Sequence, residues 1–278
     1  MFKGRKLAIA TRHQKETVMA PLLESALGLS CFVPYNLDTD QLGTFSGEIE
    51  RKQDPLTTAR NKCLMAMEQT SCDLAAASEG SFGPHPSLFF GYADEELVLF
   101  MDKKHNLEIY TTELSLKTNF AGKAIGNEQE LMDFAEKVNF PSHGLILRHK
   151  QNHTAYIVKG ITDRDLLFAE FRHLKKNYGS AFAETDMRAM HNPTRMEVIG
   201  LAMQKLVDKI NSCCPACKIP GFGVTHAKQG LPCSLCGLPT RSTLSHIANC
   251  THCAFTHELL YPYGIKAEDP MYCDHCNP

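Results

Sequence analysis

Eight cysteines in the last quarter of the chain have the spacing of metal ligands. They form four C-x-x-C pairs separated by 15, 13 and 19 residues, namely Cys214/Cys217, Cys233/Cys236, Cys250/Cys253 and Cys273/Cys276. Two thiolates at this spacing supply half of a tetrahedral Zn²⁺ site, so eight thiolates predict two closed structural zinc sites. The alternative, a disulfide framework, is typical of secreted chains, and we find no secretory signal in the opening residues.

Three pairings of these four knuckles are possible. We favour Cys233/Cys236 with Cys250/Cys253, because the 13 residues between them begin Gly237-Leu238-Pro239-Thr240 and are typical of a ribbon strand leading into the next knuckle. The two outer knuckles would then form the second site. We expect Cys213 to be a spare thiol, with replacement of Cys214 as the alternative.

A second set of candidate residues surrounds a single carboxylate, Glu79. The stretch 75–86 passes from an apolar run into Glu79, two glycines and two prolines, a composition typical of a loop that presents binding or catalytic groups. Strands are predicted after it, at 88–90 and 96–101. The alternative is an ordinary turn with a solvated Glu79. Neighbouring candidates for ligand contacts are Ser78, Gly80, Ser81 and His85.

Cationic groups that suit a phosphate lie in two other segments. The turn after the first strand contains Thr11, Arg12, His13 and Lys15 at the start of a helix, where free N–H groups favour an anion. A helix predicted from Asp54-Pro55 to about Gln69 carries Arg60 and Lys62. The alternatives are a capped helix and a solvated helix face, respectively.

The elements that must position these residues alternate between strand and helix. Strands are predicted at 6–10, 30–33, 144–148 and 155–158, a hairpin around 102–106, a helix that follows Glu16 and includes Val18 to Leu27, and helices near 128–138 and 163–176. The segment 36–51 is interpreted as a loop or lid. A final helix begins at Asn192-Pro193 and leads into the cysteine module. This order predicts a mixed α/β domain with a central sheet at residues 1–210 and a double zinc-ribbon domain at 211–278.

Composition and charge restrict the class of partner. The chain has 278 residues, 43% of them hydrophobic, and a formal charge of −2, which is ordinary for a globular protein without general affinity for polyanions. Basic and acidic residues cancel in the cysteine module, and zinc-bound thiolates would add negative charge, so nucleic acid is not favoured there. No apolar run reaches about 18 residues, and we expect a soluble cytoplasmic protein without membrane contact.

Three segments resemble the inosine triphosphate pyrophosphatase-like proteins. The segment Ala10–Glu16 is similar to their A-T-x-N-x-x-K turn, with His13 near the Asn and Lys15 near the Lys. Thr58-Ala59-Arg60-Asn61-Lys62 and Glu79-Gly80 resemble the G-A-x-N-R-A and E-G-G motifs of the inosine/xanthosine triphosphatase branch. Ala183-Glu184 and His191–Arg195 are similar to its A-E and S-H-R elements. Ser81, Thr58 and His13 depart from the family pattern.

The whole chain, with S-E-G-S-F-G-P-H-P, H-N-P-T-R-M and C-D-H-C-N-P, more closely resembles a bacterial family that joins such a domain to zinc ribbons. The pyrophosphatase resemblance implies a nucleoside triphosphate hydrolase that uses Mg²⁺ or Mn²⁺. In that hypothesis Glu79, with Glu48 or Glu184, holds the cation or activates water, and Lys15, Arg60, Lys62 and Arg195 neutralise phosphates. The competing hypothesis is a non-catalytic binding protein whose zinc ribbons dock a protein or RNA.

Overall fold

The computed structural model describes residues 1–43, 49, 52–85 and 88–278. The chain divides into two compact units, Met1–Leu206 and Val207–Pro278, which we describe separately. In the described residues no helix has the length and apolarity that a membrane crossing requires. The predicted candidate Glu48 and the side chain of His85 lie outside the part of the chain that the structure describes.

The first unit contains a five-stranded mixed sheet. Its strand order is β2-β1-β3-β4-β5, with β1 parallel to both of its neighbours and the remaining pairs antiparallel. The strands are β1 Lys6–Ile9, β2 Ser30–Phe32, β3 Leu74–His85, β4 Leu88–Asp102 and β5 Leu107–Ser115. Helices α1 Glu16–Leu27 and α2 Pro55–Thr70 connect the parallel strands, and a short 3-10 helix covers Asp40–Leu42.

Helix α2 begins where the sequence predicts. The Asp54 side chain accepts a hydrogen bond from the Thr57 N–H at 3.0 Å, and Pro55 occupies the first helical turn. One face of the helix is buried against β3 and β4, through Ala59, Cys63, Ala66 and Met67. This packing fixes which other side chains of α2 approach the sheet.

The predicted loop at 75–86 is wrong, because β3 runs without interruption from Leu74 to His85. Strand β3 pairs with β4 along its whole length, so ladder hydrogen bonds override the turn propensity of its glycines and proline. Pro84 is tolerated because β1 pairs only with Ala75 and Ala76, which leaves the Pro84 edge outside that ladder. Similarly, the two strands predicted at 88–90 and 96–101 are one strand, β4.

The first unit contains a second sheet in addition to the central mixed sheet that the sequence predicts. It is antiparallel with the order β6-β9-β7-β8, formed by β6 Gly122–Ile125, β7 Leu145–Arg148, β8 Ile157–Ile161 and β9 Ala181–Thr185. Helices α3 Glu128–Lys137 and α4 Arg164–Tyr178 pack on it around Leu131, Phe171 and Leu174. Asn127 and Asp163 cap these helices. The architecture is therefore mixed α/β with more than one sheet.

Helix α5 spans Pro193–Asn211 and crosses the boundary between the units. Asn192 precedes it as predicted, and its side-chain oxygen accepts a hydrogen bond from the Arg195 N–H at 3.0 Å. A 3-10 helix at Ala189–His191 leads into it. The buried face carries the predicted apolar residues Ile199, Met203, Leu206, Val207 and Ile210.

The second unit contains a three-stranded antiparallel sheet, β10 Gly223–Gln229, β11 Thr243–Asn249 and β12 Thr256–Leu260, in the order β10-β11-β12. One knuckle precedes β10, one lies in each of the two turns, and one follows the sheet after a 3-10 helix at Pro270–Tyr272. Consecutive strands run in opposite directions, so consecutive knuckles lie at opposite ends of the sheet.

Candidate functional site

The cysteines of the second unit form two groups of four. One group is Cys214, Cys217, Cys250 and Cys253, and the other is Cys233, Cys236, Cys273 and Cys276. Sulfur atoms from different knuckles lie 3.6 to 3.8 Å apart. A tetrahedral zinc with Zn–S bonds of about 2.3 Å has S···S edges of about 3.8 Å, whereas a disulfide bond is only about 2.05 Å long. Both groups therefore fit a structural zinc ion.

The pairing that we favoured from the sequence is wrong. The first knuckle pairs with the third and the second with the fourth, not the second with the third. The reason is the direction of the strands: β10 carries the chain from one end of the sheet to the other and β11 carries it back. Knuckles separated by one strand cannot meet, and knuckles separated by two strands lie at the same end.

Local backbone geometry favours the thiolate form of Cys233. The Leu235 N–H donates a hydrogen bond to the Cys233 Sγ at 3.4 Å. A hydrogen bond from the Cys236 backbone is the main influence on this thiol, and the pKa of Cys233 is lowered to about 7. Cys213 is exposed and belongs to neither group.

In the first unit, buried residues of opposite charge converge around β3 and β4. Lys15 lies in the turn after β1, and its Nζ donates to the Ser78 hydroxyl at 2.8 Å and the Ser78 carbonyl at 3.2 Å. Lys62 on α2 forms an ion pair with Glu79. Arg195 on α5 donates from Nε to Glu96 at 2.5 Å and from a terminal nitrogen to the Met187 carbonyl. Glu79 is thus buried and paired, not solvated in a loop.

The strand register divides these carboxylates between two faces of the β3–β4 hairpin. Gly80 lies opposite Glu96, and Phe82 lies opposite Asp94, so these four positions share one face. Glu79 lies on the other face, toward α2. Asp94 and Glu96 are both almost completely buried.

Gly80 is required by this arrangement. A Cβ at residue 80 would lie 2.4 Å from the Glu96 Oε1 and 2.5 Å from an Arg195 nitrogen. The ion pair of Glu96 and Arg195 therefore occupies the space that any side chain at residue 80 would need. This close approach gives a physical reason for the glycine that follows Glu79.

Burial and neighbouring charges shift three pKa values in this group. Burial, together with the positive charge of Arg195, lowers the pKa of Lys15 to about 7. Burial and the charge of Lys15 lower the pKa of His13 to about 3. Burial and the negative charge of Glu96 raise the pKa of Asp94 to about 8. Perturbed groups gathered in one place are a feature of functional sites, although structural ion-pair networks also produce them.

A cavity of about 600 Å³ adjoins the charged group. Its aromatic walls include Phe82 and Phe120, stacked with ring centroids 5.8 Å apart, and Tyr92, whose ring meets Phe120 edge-on at 5.3 Å. The Arg195 guanidinium lies 5.1 Å from the centre of the Phe82 ring. The cavity and the ion pairs are therefore in contact through Phe82.

Two further ion pairs line the same cavity. Arg148 on β7 pairs with Glu184 on β9, and Arg188 pairs with Asp186 at 2.6 Å. Arg148 is 2% exposed, so its charge is held within the protein. The cavity combines flat apolar surfaces with two arginine–carboxylate pairs, which suits a ligand that has both a planar ring and polar or charged groups.

The structure brings together only part of the predicted site. Lys15, Lys62, Ser78, Glu79, Gly80 and Arg195 belong to the charged group, and Ser81 and Glu184 line the cavity. Thr11 is buried and its hydroxyl accepts from the His13 N–H at 3.2 Å. Arg12 instead pairs with Asp38 at 2.5 Å. Arg60 donates to Glu108 on β5 at 2.6 and 2.7 Å, so the structure does not place it with Lys62.

Sequence reasoning missed Asp94, Glu96, Arg148, Asp186 and Arg188. For the first two there was a signal, since Asp94 and Glu96 are separated by one residue beside an apolar strand and therefore share a face. Carboxylates on the face of a strand that is expected to be buried are unusual, and they indicate a candidate site. The arginines gave no comparable signal, because their partners depend on which strands become neighbours.

Comparison with known proteins identifies the family but no activity. A domain of unknown function, DUF6671, matches residues 62–278, which include β3, β4, α5 and all eight cysteines of the two groups. No curated protein matches the chain. The match covers more than half of the sequence, and the chain accordingly belongs to the DUF6671 family.

Proposed function

We propose that the first unit binds a phosphorylated nucleotide, or a related phosphorylated small molecule, and hydrolyses it with Mg²⁺ or Mn²⁺. The observation that carries this proposal is the contact between a cavity with aromatic walls and a buried group of lysine, arginine and carboxylate side chains. A base would stack on Phe82 or Phe120, and the phosphates would be held by the cationic groups.

The protonation state of Lys15 would depend on whether a ligand is bound. Its lowered pKa reflects burial among other positive groups, and a phosphate brought close to it would favour the protonated ammonium. Lys62 and Arg195 already carry carboxylate partners, so binding would redistribute their contacts and leave them charged. A divalent cation, when bound, would neutralise phosphate oxygens and lower the pKa of a water nucleophile.

Glu79 is the residue whose replacement tests the catalytic part of the proposal. We expect Glu79→Gln to lower metal-dependent turnover by about a hundredfold or more, the scale for losing a key electrostatic group. Glu95→Gln is the matched control, because Glu95 is an exposed carboxylate on the paired strand. The assay is release of pyrophosphate or phosphate from common and deaminated nucleoside triphosphates. Turnover that survives Glu79→Gln unchanged would remove Glu79 from the mechanism.

A binding protein without catalysis is the second candidate, and one observation favours it. Glu79 and Glu96 both accept from cationic side chains of the protein itself, so neither is held solely for a cation. Under this alternative, nucleotides would raise the melting temperature of the protein without being hydrolysed. The second unit would then dock a protein or RNA partner. The basic and acidic residues of this unit cancel, which favours a protein over RNA.

For the second unit we propose two structural zinc ions. The tetrahedral spacing of the two groups of four sulfurs supports this number. Metal analysis of the purified chain is expected to return two zinc ions per molecule. One zinc or none would contradict the proposal.

A further inference from the structure

We propose that Asp94 and Glu96 form a binding site for one divalent cation, Mg²⁺ or Mn²⁺, beside the cavity of the first unit. The proposal assigns the cation to a pair of carboxylates on β4, on the face opposite to Glu79. It rests on the proposed function for the role of the cation, but the binding site itself stands on the geometry of the strand.

The first argument is the state of the carboxylate oxygens. Asp94 is 1% exposed and Glu96 is 0% exposed, yet among the described residues neither oxygen of Asp94, nor the Glu96 Oε2, has a hydrogen-bond partner. Buried polar atoms are almost always satisfied, and buried carboxylates especially so. The two carboxyl groups also interact with each other, and either a proton shared between them or a bound divalent cation would satisfy these three oxygens.

The second argument is the way in which Glu96 is held. Arg195 occupies only the Glu96 Oε1, and Arg195 is itself fixed by the Met187 carbonyl and by the Phe82 ring. The Glu96 carboxylate is thereby oriented, with Oε2 left for another ligand. Groups that hold a ligating carboxylate in this way typically set its direction toward a metal.

The third argument is access and chemistry. Asp94 shares its strand face with Tyr92 and with Phe82 across the ladder, and both aromatic residues line the cavity. Mg²⁺ prefers oxygen ligands and is commonly bound through one or two carboxylates. Neither carboxylate lines the cavity itself, so a cation at this point would lie beside the cavity, next to the strand positions of Phe82 and Tyr92.

The test uses the full-length, zinc-loaded protein and Mn²⁺ alone as the probe. Free Mn²⁺ is measured by electron paramagnetic resonance during a titration, because the hard Mn²⁺ ion competes poorly for thiolate sites already filled with zinc. We expect one Mn²⁺ per chain, displaced by excess Mg²⁺. Asp94→Asn should weaken binding at least about tenfold, whereas Glu95→Gln, on the same strand, should bind as the wild type does.

A control for folding accompanies the titration. Asp94→Asn is expected to melt at or above the wild-type temperature without Mn²⁺, because the amide removes the repulsion between a carboxylate at residue 94 and the buried Glu96. If this variant does not fold, the wild-type titration decides: no Mn²⁺ bound at millimolar concentration overturns the proposal. Equal binding by wild type and Asp94→Asn also overturns it.

The outcomes also separate this inference from the proposed hydrolysis. Mn²⁺ binding that requires Asp94, in a protein without nucleotide turnover, would support the site and contradict the hydrolase. Turnover that requires Glu79 but is unchanged by Asp94→Asn would support the hydrolase and contradict a role of this cation in it, while the Mn²⁺ titration alone decides whether the site binds a cation.

Discussion

The two units build their candidate sites in opposite ways. In the second unit, each group of ligands consists of two C-x-x-C knuckles, and each knuckle places two sulfurs together by local turn geometry. In the first unit, Lys15, Lys62, Glu79, Glu96 and Arg195 come from three strands or turns and two helices, and no two of them that form an ion pair are close in sequence. A site made of local pieces is visible in a sequence, whereas a site made of distant single residues depends on the fold.

The largest expected effect is loss of a zinc ligand. Cys214→Ser should release one zinc and unfold the end of the second unit that this group of cysteines holds, because zinc binding of about 10–16 kcal/mol is part of the folding free energy of such modules. Cys213→Ser is the matched control, since Cys213 is adjacent, exposed and outside both groups, and it should retain two zinc ions. The measurement is metal content with the circular dichroism of the purified variants.

The pairing of the knuckles can be tested with double variants. Replacing both Cys217 and Cys250 should remove the same single zinc that either replacement removes, because both belong to one group. Replacing Cys217 and Cys236 should remove both ions. If instead the double variant of Cys236 and Cys250 lost only one zinc, the crossed pairing would be wrong.

The buried ion pair of the first unit should produce the next largest effect. Arg195→Met leaves Glu96 charged and buried without its cation, and we expect a loss of about 3–5 kcal/mol in the free energy of unfolding. Arg172→Met removes an arginine that is exposed and paired with the exposed Glu128, so it should leave the urea midpoint nearly unchanged. Equal losses for the two variants would show that burial does not distinguish these pairs.

A methyl group added at Gly80 should have a moderate effect. Gly80→Ala places a Cβ against Glu96 and Arg195, and we expect a loss of about 1–3 kcal/mol, the usual range for overpacking. Gly83→Ala, on the same strand with no atom within 4 Å of its Cβ position, should be tolerated. Urea unfolding of both variants provides the comparison. The close approach at Gly80 would be disproved if both were equally stable.

The smallest expected effect is a change in pH dependence. The pKa of His13 is about 3 in the folded chain, mainly because of burial, and about 6.5 when unfolded. Between these values the unfolded state binds more protons, so the free energy of unfolding falls as pH decreases. His13→Gln should reduce that slope between pH 6.5 and 5.5 by less than about 1.4 kcal/mol per pH unit, the limit for one proton. Zinc content is checked at both pH values, and an unchanged slope would contradict the shift.

Predictions from local sequence succeeded where local interactions decide the structure. Asp54, Asn127 and Asn192 begin helices because each side chain accepts from a free N–H of the first turn. The loop predicted at residues 75–86 was wrong because that prediction rested on turn propensity alone. The strand is stabilised by its long pairing with β4, and the local sequence does not indicate which segment will pair with it. The strands β6 and β9 were not predicted, since each is short and stabilised by its neighbours.

By itself, the sequence determined that eight cysteines could form two zinc sites, because C-x-x-C spacing fixes two sulfurs through a few backbone angles. It also indicated Lys15, Lys62, Glu79 and Arg195 as candidate charged residues of a binding site. Only the tertiary structure decided which knuckles meet, through the antiparallel direction of β10 and β11, and which charges pair, through the register of β3 and β4. The physical reason is that these contacts join residues far apart in the chain, and their distances are set by strand pairing and not by local conformational preference.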